Sequence, residues 1–158
     1  NGTADIAVVT TPTLPAAAIE EISVCKFCEA AVCGSAFSDL FKSKISFAEL
    51  LAHPIISLGP HTKSFELYSR FFAGEGLRYS PETEAATADQ ILPMVKADLG
   101  IGFVPRAFLD GVDGVSVIET EKPLPEREIR ILKRRDQPLG IAAKELERLI
   151  LKQKGVFL

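Results

Sequence analysis

The chain is predicted to be an α/β protein built around an open sheet, and three observations carry that prediction. In Ile91–Phe108, a helix-like apolar run (Ile91, Leu92, Val95, Leu99) breaks at Gly100. A short strand, Ile101–Val104, follows, Pro105 stops it, and a second helix-like piece starts at Arg106. Helix, glycine, strand, proline and helix in so few residues is the grammar of a layered α/β sheet. The same order appears earlier, where a capped helix from Ser46 gives way to the strand Ile55–Leu58 and then to another helix. Third, Ile6–Val9 is a near-continuous apolar run, the pattern of a buried parallel strand. In open sheets of this kind, ligands sit past the carboxyl ends of the strands.

The 158 residues, 47% hydrophobic and 25% charged, suffice for a real core, burying roughly 70% of the unfolded surface. A net charge of −3 and a pI near 5.5 leave no electrostatic footprint for nucleic acid. No apolar run approaches the roughly 20 residues that cross a bilayer. Three cysteines are an odd count, too few for a disulfide scaffold, and suit a reducing cytosol.

Taken in order, Asn1–Asp5 reads as the glycine-capped end of a helix that is not present, followed by a strand over Asp5–Thr10. A parallel strand needs a partner reached through a crossover, and that partner is expected before Asn1, so the chain is expected to be the C-terminal part of something longer. Thr10 and Thr11 place two hydroxyls at the strand end, either for a ligand or simply to close the strand with Pro12. Glu20–Cys33 is a second strand region carrying Cys25, Cys28 and Cys33. On a strand Cys25 and Cys28 face opposite ways, which is poor geometry for a shared metal, and only His53 and His61 offer further ligands. Buried packing thiols are the expectation, and no metal or cofactor is expected.

Ser46 and Glu49 form a capping box for a helix that Pro54 keeps short. After the strand Ile55–Leu58, the turn Gly59–Ser64 leads to a helix with Phe65, Tyr68 and Phe72 on one face and Gly74 as its cap. The hydroxyls of Ser57, Thr62 and Ser64 thus gather where a strand meets a helix N-terminus, a setting that favours anions, so that they either contact a ligand or one of them simply caps the helix. Arg78–Pro81 reads as a strand, and Thr87–Gln90 as a second capping box in which Pro93 either delays or kinks the helix. Gly111 and Gly114 bound a turn, Val115–Thr120 and Glu128–Lys133 read as strands, and Pro138–Lys152 as an amphipathic helix (Leu139, Ala142, Ala143, Leu146, Leu149, Ile150). The basic residues Arg127, Arg130, Lys133, Arg134 and Arg135 lie on a strand diluted by Glu126, Glu128 and Asp136, which reads as a solvated face. Neither histidine sits in a nucleophile or metal motif, and no carboxylate pair has suggestive spacing, so an enzyme is not expected.

Four motifs in sequence together resemble the effector-binding domain of LysR-type transcriptional regulators. They are Gly2-x-x-Asp5-Ile6-Ala7; Leu50-x-x-x-Pro54-Ile55-Ile56; Val95-x-x-x-Leu99-Gly100-Ile101-Gly102-Phe103-Val104-Pro105; and Arg134-Arg135-Asp136-x-Pro138-Leu139. The resemblance spans nearly the whole chain. It implies two Rossmann-like lobes in a type 2 periplasmic-binding-protein-like arrangement, joined by two crossing segments, with lobe I at 1–24 plus 120–158 and lobe II at 25–119. Its interlobe site falls on Thr10, Thr11, Ser57, Gly59, Thr62, Ser64, Phe103, Val104 and Pro105. A small, anionic organic effector is implied, together with a homodimer formed through effector domains, a cytoplasmic setting, no membrane, and DNA contact only through an N-terminal domain this sequence lacks. The alternatives are a transport-linked solute-binding protein of the same architecture and a thiol-based redox sensor.

Overall fold

The computed structural model describes residues 4–152, apart from Pro15 and the side chain of Phe41. The expected helix end at residues 1–3 lies outside them. The chain divides into two compact units, Asn1–Phe27 with Glu126–Leu158, and Cys28–Pro125.

The first unit holds strand β1 (Ile6–Thr10), the first part of β2 (Ile19–Cys33), β7 (Glu126–Arg134) and helix α4 (Ile141–Lys152). β1 pairs antiparallel with β7, from Ile6 opposite Lys133 to Thr10 opposite Ile129, and β7 neighbours β2. That partner of β1 is a charged, alternating strand, and Ala7 and Val8 are exposed among the described residues. The parallel partner expected before Asn1 lies outside them. Helix α4 starts three residues after Pro138, and Ala143 is its buried residue, while Ala142, Leu146 and Leu149 remain exposed. Val24, Cys25 and Ile131 form the buried cluster here, with Ile6, Ile22, Ile129 and Ile150 against it.

β2 carries the chain into the second unit. There β2, β5 (Ile101–Pro105), β3 (Ile55–Leu58) and β4 (Thr83–Ala85) lie side by side, and β6 (Ser116–Ile118) also pairs with β2. β3 runs parallel to both β5 and β4, whereas β2 is antiparallel to β5 and β6. Helix α1 (Phe47–Leu50) opens with the expected capping box: the Ser46 hydroxyl accepts from the Glu49 amide, and the Glu49 carboxylate accepts from the Ser46 amide. Helix α2 (Lys63–Gly74) presents Phe65, Tyr68 and Phe72 to the core. It runs through Gly74, and the left-handed residue after it is Gly76 at φ 76°.

Two local readings change. The edge strand falls at Thr83–Ala85 rather than Arg78–Pro81, because Pro81 has no amide to donate and pairing with β3 begins one residue later. The Glu82 amide donates to the Ile55 carbonyl at 3.1 Å, and the Ile55 amide donates to the Glu82 carboxylate at 2.7 Å. Helix α3 (Ala88–Lys96) keeps Pro93 inside it, and its Thr87 cap makes no side-chain bond to the backbone. The turn after α3 is also made differently. Asp98, not Gly100, takes the left-handed conformation at φ 57°, and its carboxylate accepts from the Ala36 amide and the Ser35 hydroxyl at 2.9 and 3.2 Å. Gly100, at φ 152°, is required instead because a Cβ there would stand 2.6 Å from the Pro54 carbonyl oxygen.

The alternation along β5 builds both layers of this unit. Ile101 and Phe103 join an aromatic core with Phe47, Tyr68, Phe72 and Tyr79. Val104 joins Val32, Ile56, Ile91 and Val95 on the other side, where α3 comes so close that a Cβ on Gly102 would lie 2.6 Å from Ile91.

Candidate functional site

The carboxyl end of β3 and the start of α2 bring Ser57, Gly59, Thr62 and Ser64 onto one turn. Thr62 is the N-cap: its hydroxyl accepts from the Phe65 amide at 3.2 Å and donates to the Gly59 carbonyl at 2.8 Å. The Thr62 amide also reaches the Gly59 carbonyl, at 3.0 Å, so the turn is closed twice. The capping role therefore uses the hydroxyl's hydrogen and one lone pair. The amides of Lys63 and Ser64 are the first two of the helix and have no acceptor within it. Ser57 is buried, and its hydroxyl donates to the Leu58 carbonyl at 3.1 Å. A Cβ on Gly59 would stand 2.4 Å from a Glu84 carboxylate oxygen, the far end of a flexible side chain that would have to swing aside.

The other expected contacts have local work. The Thr10 hydroxyl accepts from the Arg127 guanidinium at 2.7 Å, and the Thr11 hydroxyl from the Glu128 amide at 2.9 Å, so both pin β1 to β7. Arg127 also donates to the Thr11 carbonyl at 2.8 Å and lies over the Phe27 ring. Phe103 and Val104 are buried in the two layers of the second unit, and Pro105 ends β5 half-buried. Their side chains are committed to packing, which leaves the main chain as what they can offer a ligand.

Cys25, Cys28 and Cys33 are free thiols on β2, with Cys28 exposed and the other two buried. Burial first, and the nearby Asp98 charge second, push the Cys33 thiol up to about 11. Cys28 lines a cavity of about 380 Å³ with Lys44, Arg106 and Glu119, the last two forming an ion pair at 3.2 Å. A second cavity, of about 410 Å³, lies between β3, the first turn of α2 and residues 78–84. Ser57, Phe65, Arg78, Tyr79 and Glu84 are among its lining residues. Sequence reading missed Arg78, Tyr79 and Glu84, taking the first two as ordinary strand residues. The signal that could have found them is a tyrosine between an arginine and a serine in a stretch interrupted by proline.

The sequence profile of the LysR substrate binding domain matches residues 1–154. No curated protein sequence matches the chain. Among solved structures, the regulatory domain of Synechocystis PCC6803 CcmR in complex with 2-PG superposes with a TM-score of 0.82 at 11% identity, covering 97% of this chain and 74% of that one. The effector binding domain of QuiR in complex with shikimate gives 0.79 at 16% identity, with 95% and 71% covered. A reduced form of OxyR from N. meningitidis gives 0.74 at 18% identity, with 98% and 73% covered. At these identities the likeness concerns the fold, a mixed α/β arrangement of the periplasmic-binding-protein type.

Proposed function

Because the chain belongs to the LysR substrate-binding domain family, we propose that it is the effector-sensing part of a LysR-type transcriptional regulator and that its effector is a small organic anion. The two units are read as lobe I and lobe II of that domain. Sensing here is binding without catalysis, in the cytoplasm, with DNA contact and dimerisation belonging to the whole regulator. The two similar domains held with 2-PG and with shikimate support a small ligand as the class.

The observation that carries the anion is the α2 N-terminus, a 12-residue helix starting at the end of a parallel strand. Two main-chain amides there lack intrahelical acceptors, and the helix dipole adds positive potential. Ser57, Gly59, Thr62 and Ser64 form the contact turn in this reading, while Thr10, Thr11 and Phe103–Pro105 hold the strand ends in place.

Ser64→Asp tests it, because a carboxylate in the first turn suits the helix but repels an anion from its amides. The expected outcome is an undiminished melting temperature and loss of the shift that hydroxy- and dicarboxylates produce in the parent, about 2.7 kcal/mol at a hundred times the dissociation constant. Thr62→Ala should lose about 1 kcal/mol of stability as a lost cap. A carboxylate that stabilises parent and Ser64→Asp equally would remove this turn from the site.

A further inference from the structure

We draw no further inference here: the strongest candidate, the apolar stripe that Ala142, Leu146 and Leu149 expose on α4 in the same unit as the exposed Ala7 and Val8 of β1, is a face without a partner among the described residues, and nothing in the structure shows what covers it.

Discussion

The two units solve the same stability problem by different means. The 28–125 unit covers both faces of its sheet, with aromatic rings on one side and aliphatic side chains on the other. Phe72 alone stacks on Tyr68 and Tyr79, with ring centroids 6.4 and 5.5 Å away, and meets Phe103 at a tilt at 5.9 Å. The other unit has a buried cluster of three residues, Val24, Cys25 and Ile131, and leaves Ile141 91% exposed. Its strands are tied by charge instead. Arg130 joins Glu21 at 2.7 Å and Glu128 at 2.9 Å, and Lys133 reaches Glu147 on α4 at 2.6 Å. Burial of a large side chain contributes about 2–3 kcal/mol, whereas a solvent-exposed ion pair contributes roughly 0–1. One unit is thus held by a few large terms and the other by many small ones.

Core truncation should expose that difference most. Phe72→Ala should cost about 3–5 kcal/mol, and Ile131→Ala about 2, since the smaller cluster can collapse around the gap. Both tyrosines lie in the 28–125 unit and the chain has no tryptophan, so tyrosine fluorescence reports that unit while far-ultraviolet dichroism reports both. Denaturant titration should show Phe72→Ala moving both signals and Ile131→Ala moving chiefly the dichroism. Equal shifts of both probes in Ile131→Ala would make the units one cooperative body and end the comparison.

The next effect is alkaline and belongs to the aromatic unit. Cys33 is neutral when folded up to about 11 but ionises from 9.0 when unfolded. Its contribution to stability is therefore complete below 9.0 and lost as pH rises toward about 11. Denaturant midpoints by far-ultraviolet dichroism should fall across that window, where the buried Tyr79 phenol adds to the fall, and Cys33→Ala should lessen it while lowering the midpoint everywhere.

The smallest effect is acidic and belongs to the charged unit. Hydrogen bonds from Arg130 and then Thr13 hold the Glu21 carboxyl below its ordinary value. The stability it supplies is present above the ordinary carboxylate range and disappears as pH drops through the lowered value. Glu21→Gln should make the dichroism midpoint less sensitive to acid and leave tyrosine fluorescence as it was. An unaltered acid profile in the variant would show the pair to be a bystander.

Wherever structure is written by neighbours in sequence, it could be read there. The Ser46 box, the end of β5 at Pro105 and the Thr62 cap need only three or four adjacent residues to specify them. The pairing of β1 with β7 could not be read that way, because β7 sits over a hundred residues further along. Asp98 in a left-handed turn was equally hidden, since its reason is the distant amide of Ala36. The gathering of Ser57, Gly59, Thr62 and Ser64 on one turn was legible because Ser57–Ser64 is one stretch. The Tyr79 cavity was not, as it exists only once residues 57–65 meet residues 78–84.

The contact of Gly59 with Glu84 also has a history written into it. A methyl group at position 59 would strike only the far end of a flexible side chain, not the backbone. Alanine at 59 would therefore displace the exposed Glu84 carboxylate and leave the backbone in place. Shortening Glu84 removes even that displacement, so substitutions at the two positions are coupled through one side chain. The two sites should covary across descendants, with alanine at 59 found beside a small residue at 84.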